Sequence, residues 1–258
     1  MTSLRVVFLA LLGLAIGSFA NVVVHRVPRG LSLLRPRSHC PSCSATIASY
    51  DNIPVISWIV LRGECRHCSA PIAVQYPLVE LLTAALFVAV GQRVGWHWDL
   101  PAFLAFVAGL VVLALVDAEH LLLPRRLVYP LTVGVVGWLT LTAGVTHQWH
   151  RLAVGALWGL GWFGLFGALR IANESWMGGG DVRLALLLGT ALGWYGGGAV
   201  IIAFFAANLI GAVTGLVLIA LGRSSRGQPL PFGIFLAVGT AVGLFGQPWI
   251  GQLIPALG

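Results

Sequence analysis

Two aspartates carry the most suggestive chemistry in this chain. Asp181 stands in MGGGDVRL, behind three glycines and ahead of an apolar run, and Asp117 closes another apolar run in LVDAEHLLLP. A carboxylate at membrane depth costs about 3 kcal/mol on insertion scales, so it is a functional candidate by default. If two such groups meet, the protonated one can polarise a carbonyl while the ionised one activates water. Asp181 is expected at a helix N-terminus, where the macrodipole favours the anion, and Asp117 at a helix C-terminus, where it does not. On that argument Asp181 is the base and Asp117 the acid, although a coupled pair titrates jointly. Each also has a plainer reading, Asp181 as a helix cap and Asp117 as a boundary residue. The glycines, lacking a Cβ, are expected to take restricted backbone conformations and to let a substrate strand approach.

The second constellation is CPSC at Cys40 and Cys43 with CRHC at Cys65 and Cys68. Two Cys-x-x-Cys pairs can place four thiolates around one tetrahedral ion, and four thiolates leave no open position, which suits structural zinc. The 21 residues between the pairs lie just outside the usual window of about 15 to 20. Two disulfides or four inert thiols are the alternatives. His39 and His67 flank the cysteines and read as surface imidazoles, and DNIP at Asp51 to Pro54 has turn chemistry.

The elements that must hold these groups are membrane helices. Of 258 residues, 58% are hydrophobic and 9% charged, and the mean hydropathy is +0.92. That excludes an ordinary soluble domain. At about 20 residues per crossing, eight spans fit: Leu4 to Val24, Leu78 to Val94, Pro101 to Val116, Leu127 to Val145, Leu152 to Ile171, a short one at Leu184 to Trp194, Ala199 to Leu221 and Phe232 to Leu253. The first reads as a retained span rather than a cleaved signal, because a basic segment follows it directly. The expected class is therefore all-α and membrane-integral. Its parts are a first helix over 1–24, a cytosolic four-cysteine, zinc-ribbon-like domain over 25–76 and a seven-helix membrane domain over 77–258.

No lysine occurs among the 15 basic residues. With the N-terminus outside, only Arg5, Arg93 and Arg151 fall on the outer face and the other twelve, Arg226 among them, on the inner one, a clear positive-inside bias. The net charge of +7 is thus topological and suited to anionic lipid, and nucleic acid is not an expected partner. The bias also places the cysteines in a reducing compartment, where disulfides seldom persist, and both aspartates at the inner face.

The remaining acids sort by position. Asp51, Glu64 and Asp99 fall in loops, loop arginines are available partners for Glu80 and Glu174 without the sequence deciding the pairing, and Glu119 would face away from Asp117. Asn208, inside the seventh span, reads as an interhelical hydrogen-bonding residue.

In order along the chain, GSFANVVVHRVPRG, PRSHCPSC, YDNIPVISWIVLRGECRHC, PIAVQYPLVELLT, LVDAEHLLLP, MGGGDVRLALLLG and PLPFGIFLA resemble the motifs of the bacterial type 4 prepilin leader peptidases, the Gly-x-Gly-Asp intramembrane aspartic proteases. The resemblance implies an inner-membrane, multi-pass endopeptidase that removes the leader of type IV prepilins or pseudopilins on the cytosolic side. It also implies N-methylation of the new terminus from S-adenosylmethionine. It assigns Asp117 and Asp181 as the catalytic pair and Cys40, Cys43, Cys65 and Cys68 as the zinc set. Methylation does not follow from the residues themselves, since no glycine-rich nucleotide fold is visible between His25 and Tyr76. One departure stands out: Pro124 is followed by Arg125 and Arg126, where many members carry an acid. A basic leader entering a basic inner face is expected to rely on Asp117, Glu119, Glu174 and Asp181.

Two other classes fit parts of the pattern. A presenilin-like aspartyl protease shares Gly-x-Gly-Asp but not the cysteines. A non-enzymatic scaffold or transporter with a zinc ribbon would be favoured by broken mid-membrane helices, which the sequence does not show. The sequence sets no oligomeric state.

Overall fold

A computed structural model describes residues 2–33, 35–174, 176–223 and 230–253, the last seven by their backbone alone. Arg226 and Pro229, the first residue of the closing motif, lie outside the described residues.

The described chain is helical, and its only β pairing is two isolated bridges. Eight long helices fall on the eight expected spans: α1 (Ser3–Arg26), α3 (Gln75–Val94), α4 (Leu100–His120), α5 (Arg125–Thr146), α6 (Trp149–Ala172), α7 (Gly179–Gly193), α8 (Gly197–Ala220) and α9 (Phe232–Leu253), with a five-residue helix α2 (Ile56–Val60) between the first two. Among the described residues, six are long and apolar enough to cross a bilayer: α1, α3, α4, α5, α6 and α8. In hydrocarbon the backbone must satisfy its own hydrogen bonds, which is why apolar runs of this length become helices.

The chain divides into two compact units, Met1–Trp96 and His97–Gly258. In the first, α1 packs along α3 at very close range. A Cβ on Gly13 would come within 2.5 Å of the Ala84 Cα, and one on Gly17 within 2.7 Å of the Glu80 Cα. This is the small-residue spacing that lets membrane helices touch backbone to backbone. Asn21, buried on α1, donates from Nδ2 to the carbonyls of Tyr76 and Gly17.

In the second unit the same device recurs twice. Gly155 and Gly159 of α6 meet Gly189 and Gly193 of α7, and Gly239 and Gly243 of α9 meet Ala199, Ala203 and Ala207 of α8. Helix α7 has only 15 residues, and from Leu184 to Gly193 nearly every side chain is buried against α5, α6, α8 and α9. A helix sheathed by others has no lipid thickness to match, which accounts for the short sixth span. A Cβ on Gly189 would sit 2.7 Å from the Gly159 Cα. Gly189→Ala is therefore expected to destabilise the unit by about 1–3 kcal/mol through overpacking, read as a lowered Tm in detergent.

Candidate functional site

Asp117 lies in the last turn of α4, which ends at Leu121 in the left-handed region (φ 53°), with the Leu121 amide donating to the Asp117 carbonyl. Its carboxylate, 5% exposed, turns toward the start of α9. There the Gly233 N–H donates to Oδ2 at 2.7 Å, and the Ile234 N–H donates as well. A helix N-terminus is a ready anion site. The own-helix dipole argument, which made Asp117 the acid, thus omits a second helix, 116 residues further along the chain, that turns its first amides to this carboxylate.

Asp181 is the third residue of α7, and Gly178 is its N-cap. The carboxylate accepts the Gly178 amide, a reciprocal cap of the kind made by an acid at the third helical position. The cap expected of Asp181 is thus present. Oδ1 of Asp181 is buried without a hydrogen-bond partner, and the charge of Asp117 acts on Asp181 directly.

The three glycines serve packing. None of them has a positive φ, contrary to the expected backbone freedom. A Cβ on Gly178 would fall 2.5 Å from Asp181 Oδ2, and one on Gly180 2.6 Å from the Leu123 Cβ in the LLLP segment. Gly179 lies against Arg170, whose Nη1 donates to the Met177 carbonyl at 3.0 Å. On the facing side, a Cβ on Gly233 would come within 2.8 Å of Asp117 Oδ2. Gly233→Ala should displace that carboxylate and lower turnover by up to about a hundredfold, the scale of a misplacement near 1 Å. A kcat fall with an intact melting profile is the expected reading.

The other acids are placed differently from the sequence expectation. Glu80 is buried at 6% exposure and meets no arginine among the described residues; its Oε2 accepts the Val55 amide at 2.7 Å. Asp99 is no solvated loop residue: at the start of α4 it is 6% exposed, and Oδ2 accepts the Trp194 indole N–H at 3.1 Å. Glu174 is exposed, and Glu119 lies 3.8 Å from His120 Nε2. Asn208 donates to the Phe204 carbonyl of its own helix at 2.8 Å rather than across to another.

The four cysteines are free thiols, and their Sγ atoms all lie within 4.8 Å of one another. Each pair sits on a copy of one hairpin. Cys40 N donates to the Ala45 carbonyl and Ser44 N to the Cys40 carbonyl, as Cys65 N does to Ala70 and Ser69 N to Cys65. Ser44 (φ 58°) and Ser69 (φ 56°) turn the two knuckles alike, and the bridges His39–Thr46 and Glu64–Pro71 close them. Tetrahedral thiolates at about 2.3 Å from an ion stand about 3.8 Å apart, and Cys40 and Cys68 Sγ are at 3.8 Å. The amides of Cys43 and Ser42 draw the Cys40 thiol down to about 6, whereas Cys68, despite the Ala70 amide, is pushed up to about 12 by hydrogen bonds with the other thiols and by burial. His39 and His67 are exposed and stand outside the ligand cluster. Arg66, inside the second knuckle, donates from Nε to Asp51 Oδ2 at 2.8 Å. That hydrogen bond holds the Asp51 carboxyl below its ordinary range and ties the DNIP turn to the knuckle.

Residues 11–94 match the model of the bacterial peptidase A24 N-terminal domain, and residues 104–216 match that of the type IV leader peptidase family. The chain belongs to the type IV leader peptidase family. Its similarity to curated relatives runs across both matched regions. It is 36% identical to the prepilin leader peptidase/N-methyltransferase of Pseudomonas aeruginosa, over 88% of this chain and 86% of that protein. It is 37% identical to that of Dichelobacter nodosus, over 98% and 95%. With the Myxococcus xanthus relative of the same name the identity is 41% over 84% of this chain, which spans 64% of the relative's length. No solved structure matches the chain.

Proposed function

We propose that this multi-pass membrane enzyme removes the leader of type IV prepilins or pseudopilins and then N-methylates the new terminus. What supports the peptidase half is that Asp117, turned to the start of α9, and Asp181, in the first turn of α7, lie near enough for the charge of one to act on the other, in a family of leader peptidases. The hydrogen bonds suggest a division of labour opposite to the own-helix argument. Asp117, faced by two backbone amides, is the ionised partner that activates water, and Asp181, with Oδ1 unpartnered, donates the proton that polarises the scissile carbonyl. As the tetrahedral intermediate collapses, the proton taken from water passes to the leaving amine.

The substrate reading extends this. A prepilin's apolar helix would lie in the bilayer of the inner membrane while its basic leader is met from the cytosol by the acidic groups near the dyad, Glu119 and Glu174 among them. Replacing the leader's basic residues with acidic ones should raise KM well above its native value while leaving the cleavage position unchanged. An unaltered KM would remove the electrostatic part of this reading.

Methyl transfer calls for a donor, and S-adenosylmethionine supplies an electrophilic methyl group to an amine. The names of the relatives support that activity, and no residue of this chain is assigned to hold the donor. Zinc is the proposed occupant of Cys40, Cys43, Cys65 and Cys68; four thiolates leave it no open position for catalysis. The deciding test is incubation of purified protein with a model prepilin bearing a Gly-Phe junction ahead of an apolar helix, with the product mass measured with and without donor. Cleavage after glycine, with one methyl added only when donor is present, is expected. An uncut substrate would overturn the reading.

A further inference from the structure

The segment that the sequence marks as soluble contains a short helix with an exposed apolar face. Helix α2 puts Ser57 inward, where its Oγ donates to the Tyr50 carbonyl and accepts the Ile53 amide, both at 2.9 Å. Trp58 is held by a 3.1 Å hydrogen bond to the Ile72 carbonyl. The face left outward is Ile56, Ile59 and Val60, exposed at 58%, 62% and 68%. Three branched aliphatics at i, i+3 and i+4 form one apolar stripe, and no described residue of the unit covers it.

The level of this stripe is set by Glu80. Helix α3 has 20 residues, about 30 Å of rise, which is the thickness of a bilayer's hydrocarbon core. Glu80 is five positions into α3 from Gln75, about 8 Å along the axis, and its buried carboxylate grips the Val55 amide that starts α2. Val55 sits at φ 61°, a conformation that a β-branched side chain strongly resists. Such strain persists only where surroundings enforce it, and it points to a functional constraint. The clamp therefore draws α2 below the end of a membrane helix. Leu78, Leu81 and Leu82, which flank Glu80 on α3, are exposed as well, and Arg62 follows the stripe by two residues.

We propose that α2 is an interfacial wedge, seated at the headgroup–acyl boundary of the inner leaflet, with Ile56, Ile59 and Val60 in lipid, Arg62 among anionic headgroups and Glu80 as its tether. Amphipathic helices at an interface bury their apolar face about 5–10 Å deep, the depth the Glu80 hydrogen bond imposes. The cysteine knuckles on either side of α2 are thereby held to the membrane surface. The inference requires only the membrane reading of α1 and α3 and is independent of the peptide that is cut.

The test uses the whole protein in nanodiscs of phosphatidylethanolamine and phosphatidylglycerol, carrying either a lipid with a diazirine on its acyl chain or a water-soluble diazirine, with adducts mapped by mass spectrometry. The lipid probe is expected to label Ile56 to Val60 and the aqueous probe to spare them. Glu80→Leu should abolish the lipid adducts on α2 while those on α1 and α3 persist. Glu80→Gln, which keeps an acceptor for Val55, should retain them, and metal content reports that the segment is still folded. Aqueous labelling of Ile56 to Val60 in the native protein overturns the proposal. So does protection of these residues only when a prepilin is added, since the stripe would then be a peptide surface.

Discussion

Asp117→Asn and Asp181→Asn are each expected to abolish leader cleavage, by about a thousandfold or more, because each removes proton transfer from a positioned acid/base group. Asparagine matches aspartate in shape, and its Oδ1 can still accept the amides that the native carboxylates accept, Gly233 and Ile234 at position 117 and Gly178 at position 181. Helix starts should therefore survive the exchange, and far-UV circular dichroism and melting should stay close to those of the parent. Groups that act as a unit are not additive. The double variant should be no slower than either single one, and that non-additivity separates a dyad from two independent contributions. Cleavage by product mass, in purified protein and at saturating substrate, reads the effect. A single variant that keeps near-native turnover would reduce its aspartate to a cap or a boundary residue and would end the two-carboxylate mechanism. A pH-rate profile would not divide the roles, because the pair titrates jointly.

Hydropathy made the eight long helices legible because lipid leaves the backbone no alternative. It could not explain why Leu184–Trp194 is short, since that depends on α7 being wrapped by its neighbours. The cysteines were legible from local spacing, as each knuckle is closed within a few residues of its own pair. What hid was long-range. The amides that face Asp117 come from a helix start 116 residues away, and the sequence marked that start only as the closing motif PLPFGIFLA, with nothing to connect its amides to Asp117. Glu80 looked like a partner for arginine because charge is visible in a sequence, whereas a strained backbone amide at Val55 is not. The glycines ahead of Asp181 were marked correctly but for the wrong reason: the demand for a missing Cβ comes from the carboxylate, Leu123 and Arg170, none of which a local reading brings to that spot.

The largest expected effect on structure concerns the four thiols. Purified protein should carry one zinc per chain. Cys40→Ser or Cys68→Ser, or prolonged exposure to a strong chelator, should release it and open the segment around the knuckles to protease, leaving the helices of the other unit protected. The physical case rests on what else holds this segment. Among its described residues each hairpin is closed by one isolated bridge and a handful of turn hydrogen bonds, a few side-chain hydrogen bonds from Ser57, Trp58 and Arg66 tie the rest, Tyr50, Ile53, Ile56, Ile59 and Val60 lie exposed, and two serines occupy the left-handed region. So small a core rarely supplies folding energy of its own. Structural zinc contributes about 10–16 kcal/mol of apparent binding free energy in small domains, well above what these hydrogen bonds provide at about 1 kcal/mol each. A disulfide pairing would predict the opposite pattern, with a segment resistant to chelator and opened by reductant. Retention of protease resistance after complete metal removal would sink the structural role, and cleavage confined to the 40–68 region, with α1 and α3 intact, would establish it.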